Sequence, residues 1–384
     1  LRPSNGLASF NIDGRQGFLI KTPVILITHD SNPGGLSFMM SNIRGLTFDD
    51  VMLVPGYNGI RSRQDVTTSV TVAGRTFEIP MISANMDTVT GETMANAMTD
   101  FGGMAILHRF MSIEENVAMF KRLKHPKKTG ISIGIGEEAL PRAEALISAG
   151  AEIICVDVAH GHSKEVNRTI RQLREKWGQH IMIIAGNVAT YAGADYLSAA
   201  GADVIKVGIG PGSVCSTRIK TGFGVPQLTA LQECRKVDRC IIADGGIKSP
   251  GDAVKALAAG ADFIMLGGML AGTDETPGEF MTRKNSDGSE TKLKRFRGMA
   301  SREAQEDFMG GMAEWKTAEG VAVEVLSKGP VKNVILDVMG GIRSGLTYCG
   351  ALNIKQLQRK AQFMEITPAG FHEGTPHASG RLTK

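Results

Sequence analysis

The stretch GIGPGSVCSTR, residues 208–218, sets one thiol, Cys215, behind three glycines and a proline and follows it with Ser216, Thr217 and Arg218. Such a run suits neither a regular helix nor a strand; it wraps the backbone around something small or lets a ligand come close. Held at the end of that wrap, the Cys215 sulfur is placed to attack an electron-poor carbon. Thr217, two residues on, passes a proton if a stronger base orients it. A lone cysteine in a turn is more often inert packing, and the glycine-rich loop beyond an apolar run is what raises covalent chemistry above that reading. A second set of residues suits an anion. Asp244-Gly245-Gly246 and Gly267-Gly268 each follow an apolar run, and bare glycine amides beside a helix N-terminus satisfy phosphate. Asp244 suits a ribose diol, and two glycine pairs on adjacent strands predict a phosphorylated ligand.

The elements that must position these groups are legible as a repeat. SAGAEIICVD (148–157), AAGADVIKVG (199–208) and AAGADFIMLG (258–267) each join an alanine-rich helix end to a glycine cap, at Gly150, Gly201 or Gly260, and then to a continuous apolar strand. Further strand-length apolar runs occur at 79–85, 103–108, 130–135, 181–186 and 240–245. Eight buried parallel strands alternating with helices predict an α/β chain folded as a closed (β/α)8 TIM barrel rather than an open doubly wound sheet. Polar residues gather beyond the C-terminal strand ends, at 85–88, 157–163, 186–190, 208–215, 244–246 and 267–270, the face on which such barrels carry chemistry.

After the eighth strand the pattern changes. Residues 278–299 predict a hairpin turning at Asp287-Gly288, and 301–335, with its Gly310-Gly311 pair, predict a mobile lid. The barrel domain is expected over 41–366, preceded by a peripheral or disordered leader at 1–40 and followed by a flexible tail at 367–384. The basic residues of the hairpin, Arg283, Lys284, Lys292 and Lys294, read as a solvated charged face.

Composition excludes several classes of partner. A formal charge of +4 on 384 residues, with aromatics at 5%, offers no stacking platform among basic residues for nucleic acid. No apolar run approaches the roughly 20 residues of a membrane helix. The five cysteines are odd in number, scattered and free of any CxxC pair, which argues against a disulfide framework or a zinc site and for a reducing, cytoplasmic setting.

Taken together, LTFDDVMLVPG (46–56), SANMDTVT (83–90), GIGPGSVCSTR (208–218), ADGGIK (243–248), GGMLAG (267–272) and RGMAS (297–301) resemble the IMP dehydrogenase and GMP reductase family over residues 43 to about 365. Three features resemble the reductase branch. The stretch LHRFMSIEENVAMF leaves no room for the regulatory CBS pair that dehydrogenases usually carry after the second strand. DVAHGHS (157–163) has the reductase form, and AEWKTAEG (313–320) lacks the Arg-Tyr dyad with which a dehydrogenase activates water.

The resemblance implies reductive deamination of GMP to IMP and ammonia with NADPH, through a covalent bond from Cys215 to the purine and a proton relay of Thr217 and Glu319. It places the nucleotide on Ser213, Asp244, Gly245, Gly246, Gly267 and Gly268, with Gly298, Met299, Ala300, Ser301, Lys316 and Gly320 closing over it. The cofactor would meet Asp157, Val158 and Ala159, with Trp315, Lys316, Ser344 and Thr347 contributing. The wrapped loop presents the carbonyls of Gly210, Gly212 and Cys215 to a monovalent cation, potassium by expectation. A homotetramer is implied as well. Two alternatives stay open: a dehydrogenase of IMP lacking the CBS pair, and a non-catalytic purine nucleotide sensor on the same barrel.

Overall fold

The eight apolar runs pair edge to edge in chain order in the computed structural model, which describes residues 44–376. The strands are β1 Met81–Ser83, β2 Met104–Leu107, β3 Thr129–Ile133, β4 Ile153–Asp157, β5 Met182–Val188, β6 Val204–Val207, β7 Cys240–Asp244 and β8 Phe263–Leu266. All neighbours are parallel, and β8 closes on β1 through Ile264↔Met81, Met265↔Ile82 and Leu266↔Ser83. The predicted closed barrel is therefore the observed one. Each strand lies between a packed barrel interior and a ring of helices, so both its faces are buried and its sequence is apolar throughout rather than alternating. Met81, Ile82, Met104, Ile106, Ile131, Ile154, Ile184, Ile205, Ile242 and Ile264 are all fully enclosed.

The outer ring comprises α1 Glu92–Asp100, α2 Ile113–Lys121, α3 Ala139–Ser148, α4 Lys164–Trp177, α5 Tyr191–Ala200, the short α6 Thr217–Thr221, α7 Gln227–Cys234 and α8 Pro250–Ala258. Helix α4 shows why they lie flat on the barrel: Val166, Thr169, Ile170 and Leu173, spaced at one face, are buried while its charged residues face out. Ser112, Ser163, Thr190 and Ser249 accept backbone N–H groups as N-caps of α2, α4, α5 and α8, which fixes where the loops at the C-terminal face of the barrel end. At the opposite face the three repeated glycines, Gly150, Gly201 and Gly260, have φ of +103°, +112° and +120°. A side chain is strained there, which is why the repeat places glycine at every helix exit.

Beyond β8 the structure adds a strand to the expected hairpin. The hairpin exists, as β9 Met281–Lys284 and β10 Glu290–Arg297, with its turn at 285–289. It is not a lone hairpin: β11 Ala322–Leu326, inside the span expected to be lid, pairs antiparallel with β10 through Arg297↔Ala322 to Leu293↔Leu326. The third strand covers an edge that would otherwise be left unpaired. The remainder of that span holds helix α9 Arg302–Met309, an irregular segment at 310–320 and the first residues of α10 Val331–Tyr348. The span expected as tail begins with a short helix, Pro368–Glu373, capped by Thr367. The expected leader at 1–40 and the tail from 377 onward lie outside the described residues.

His108, just past β2, is 6% exposed. Its Nδ1 accepts from the Phe110 amide at 3.3 Å, and burial holds its pKa down at about 4. The folded protein therefore keeps it neutral while the unfolded chain binds a proton between pH 6.5 and 4. Stability rests on the neutral form and is lost as pH falls through that window, by up to about 3 kcal/mol. Thermal melts of wild type and His108→Gln at pH 7.5 and pH 4.5 are expected to show a smaller acid-induced drop in Tm for the variant.

Candidate active site

The C-terminal strand ends open into a cavity of 1220 Å³, above the roughly 300–1,000 Å³ of a pocket for one small ligand. Its floor is the loop after β6. Gly208 has φ +149°, and a Cβ there would lie 2.1 Å from the Asp244 carbonyl oxygen, so the chain passes hard against β7 only because it has no side chain. Arg218 then ties the loop together, donating to the carbonyls of Ile209 (3.2 Å) and Val225 (2.6 Å). The Cys215 amide donates to the Gly212 carbonyl at 3.1 Å, turning the cysteine to the start of α6.

The segment before β11 lies against this loop. Cys215 bridges antiparallel to Gly320, the Ser216 amide donates to the Glu319 carbonyl (2.9 Å), and the Val321 amide to the Val214 carbonyl (3.0 Å). These backbone bonds bring three side chains into line: the Cys215 thiol donates to Thr217 Oγ1 at 3.2 Å, and the Thr217 hydroxyl donates to Glu319 Oε2 at 2.8 Å. A sulfur, a hydroxyl and a carboxylate in series form a nucleophile with a path for protons.

Opposite the sulfur stands a charge cluster that reading the sequence missed. Lys206 points from β6 into the barrel mouth, 2% exposed. Its ammonium donates to Asp157 Oδ1 (2.6 Å), to Asp244 Oδ2 (2.9 Å) and to Asn187 Oδ1. Asn187 donates to Asp244 Oδ2 (2.9 Å) and Asn85 to Asp157 Oδ2 (2.9 Å). Burial opposes the charge on Lys206, but the two carboxylates outweigh it and push its pKa up. Burial likewise opposes the charge on Asp157, and the Lys206 ammonium holds its pKa down all the same. The available signal was a lysine inside the apolar run VIKV (204–207), a residue seldom fully buried unless paired.

The two glycine pairs meet on one side of the cavity. Gly245 and Gly246 have φ of +89° and +82°, and a Cβ on Gly268 would come 2.7 Å from Ser213 Oγ. Backbone amides on this wall are thus bare of side chains, an arrangement that suits an anion. Lys328, another residue the sequence did not flag, lines the cavity and donates to the carbonyls of Gly268 (2.7 Å) and Met269 (3.0 Å). Its charge meets the same wall. On the far side Met299 takes an amide N–H from Asp87 at its sulfur (3.2 Å), and Arg297 pairs with Asp87 and Asp307, docking α9.

Of the expected residues, Cys215, Thr217, Glu319, Ser213, Asp244, Gly245, Gly246, Gly267, Gly268, Gly298, Met299, Ala300, Asp157, Val158, Ala159, Gly210 and Gly212 all line the one cavity. Ser301 and Gly320 pair beside it. Four others are not brought in. Trp315 is 82% exposed with the Lys316 ammonium over its ring, and neither lines the cavity. Ser344 and Thr347 spend their hydroxyls on carbonyls of their own helix, Gly340 and Ser344, because α10 packs against α8 on the outside of the barrel.

Comparison with known proteins places the chain among relatives of one family with two activities. A model of the IMP dehydrogenase / GMP reductase domain matches residues 45–377. The chain is 41% identical to GMP reductase 1 of Mus musculus over 336 residues, 84% of this chain and 95% of that one. Among solved structures it resembles GMP reductase of Trypanosoma brucei in complex with guanosine 5'-monophosphate, with a TM-score of 0.83 and 29% identity over 88% of this chain and 99% of that one. It also resembles inosine 5'-monophosphate dehydrogenase of Legionella pneumophila, with a TM-score of 0.76 and 58% identity over 85% of this chain and all of that one.

Proposed function

Because the chain belongs to the IMP dehydrogenase / GMP reductase family, we propose that it is an NADPH-dependent GMP reductase, converting GMP to IMP and ammonia with Cys215 as nucleophile. The observation that carries this reading is the series Cys215, Thr217, Glu319. Ammonia leaves only if protonated, and a hydroxyl backed by a carboxylate is a route for that proton.

In this reading Asp244 accepts from the ribose diol through Oδ1, since Oδ2 is held by Lys206 and Asn187. The amides of Gly245, Gly246, Gly267 and Gly268, with Ser213, take the phosphate. The base then lies over Cys215, under Gly298, Met299 and Ala300. The Cys215 thiol gives up its proton through Thr217 to Glu319, and the sulfur bonds to carbon 2 of the guanine ring. The bond from carbon 2 to the exocyclic nitrogen breaks, and that nitrogen departs as ammonia with a proton handed from Glu319 through Thr217. Charge built on the ring is met by nearby amides. The nicotinamide, when bound, supplies the hydride that carbon 2 needs. Cleavage of the carbon–sulfur bond returns the thiolate and releases IMP.

The cofactor's nicotinamide end suits the wall of Asp157, Val158 and Ala159, and the volume beyond the nucleotide favours two ligands at once. Trp315, Lys316, Ser344 and Thr347 take no part in that wall. Gly210, Gly212 and Cys215 offer three carbonyls to a monovalent cation, proposed as potassium. The Gly212 oxygen already accepts from the Cys215 amide, and its second lone pair is what a cation would take. A homotetramer and a cytoplasmic setting complete the proposal; among the described residues no helix is long and apolar enough to cross a membrane, and the five cysteines are unpaired.

The 58% identity to a protein titled inosine 5'-monophosphate dehydrogenase favours a second reading, oxidation of IMP with NAD. Against it stands the segment 313–320, where Glu319 sits on Thr217 and no Arg-Tyr pair is available to activate water. The paired assay separates them. Purified protein given GMP and NADPH is expected to lose nicotinamide absorbance with ammonia formed, while IMP and NAD are expected to give no gain; the reverse pattern would overturn the proposal. Binding of GMP with neither reaction would assign a sensor.

A further inference from the structure

The proposed chemistry leaves Lys206 without a task, although it is an almost wholly enclosed charge held by three side chains on three different strands. Two of these partners face different ligands. Asp244 ends β7 beside the glycine pair proposed for the phosphate, and Asp157 ends β4 on the wall proposed for the cofactor. Neither carboxylate touches the other directly; the ammonium lies between them at 2.9 Å and 2.6 Å. We propose that Lys206 is a positioning residue that couples the two halves of the cavity, so that occupation of the ribose side alters affinity for the cofactor and the reverse. The inference rests on the GMP reductase reading.

The physical argument starts from the sharing of one cation. Each Asp244 or Asp157 oxygen bonded to Lys206 is fixed in direction by it, and Asn187 and Asn85 fix the orientation of the same two carboxylates. A diol donating to Asp244 Oδ1 withdraws negative charge from that carboxylate and leaves the ammonium to bind Asp157 more strongly. Donation to Asp157 acts in the opposite direction. Lys206 is 2% exposed and the two carboxylates are about a quarter exposed, so an exchange routed through the ammonium is screened less than one at the surface, and by linkage the two effects are equal in free energy. Removing the ammonium leaves two carboxylates facing a common gap and Asn187 Oδ1 without a donor. The pair must then rotate apart or take up a proton. Arg109, whose charge also favours ionised Asp157, steadies only the cofactor side.

Isothermal titration measures this when every chain compared also carries Cys215→Ala, which stops the covalent step and its ammonia release, so that wild type here refers to positions 157 and 206. GMP is titrated into the full chain alone and with saturating NADP⁺, the oxidised form, which gives GMP no hydride. Wild type is expected to show a ratio of GMP affinities different from one, within the roughly 5- to 150-fold usual for coupled sites. Lys206→Met is expected to bind GMP at least tenfold more weakly and to bring the ratio to one. Asp157→Asn, in case the first variant does not fold, changes the ammonium's far partner only. It is expected to shift GMP affinity at least threefold with no cofactor present, which a purely local role for Asp157 would not do. A wild-type ratio of one refutes the coupling, as does Lys206→Met with the wild-type ratio intact or Asp157→Asn with unchanged GMP affinity. Failure of wild type to bind GMP at all refutes the nucleotide reading instead.

Discussion

Cys215→Ala is expected to abolish turnover of GMP, by on the order of 10⁴-fold or more, while GMP still binds with a dissociation constant within a few-fold of wild type. The two effects separate because the sulfur and the binding groups belong to different parts of the cavity. In the proposed arrangement Gly245, Gly246, Gly267 and Gly268 amides with Ser213 take the phosphate and Asp244 the ribose, and none of these bonds to Cys215. The loop itself keeps its shape in the variant, since Arg218 and the backbone pairing with Glu319 and Val321 hold it. Steady-state assay gives the first quantity and titration with GMP the second. Wild-type turnover from the alanine variant would remove covalent catalysis from the account, and loss of binding with activity would leave it unsupported.

Glu319→Gln should lower kcat by roughly 10²- to 10⁴-fold, the usual contribution of a placed acid–base group, with KM for GMP changed little. The substitution preserves shape. A glutamine oxygen still accepts from the Thr217 hydroxyl, where Glu319 Oε2 now does at 2.8 Å, and the backbone bonds of residue 319 to Ser216 and Ala300 remain. What is lost is the ability to hold and release a proton. Mass spectrometry of the variant mixed with GMP and no cofactor is expected to show little ammonia release. Thr217→Val, which cuts the series in the middle, is expected to give the same pattern. A kcat within threefold of wild type for Glu319→Gln would show that the proton travels another way.

The parts of this protein that were legible residue by residue are those governed by near neighbours. The eight apolar runs announce strands buried on both faces, and the repeated Gly150, Gly201 and Gly260 announce helix exits with positive φ. Both follow from what one residue's own backbone and the next few side chains allow. The loop around Cys215 and the paired glycines were visible for the same reason. Strand β11 was hidden: AVEVL (322–326) is short and becomes a strand only because β10 offers it an edge. Glu319 entered through family resemblance, as no local pattern ties it to Thr217, 102 residues earlier in the chain.

The amino-acid sequence by itself determined the barrel and pointed to the face and the thiol on which the proposed chemistry rests. Only the tertiary structure decided which charges meet there: Lys206 with Asp157 and Asp244, Thr217 with Glu319, and Ser344 and Thr347 with nothing in the cavity. The reason is one of range. Periodicity, capping and backbone freedom act over a few residues and are written in order along the chain. The distance between two charged atoms on different strands is set by closure of the barrel, which depends on every strand at once.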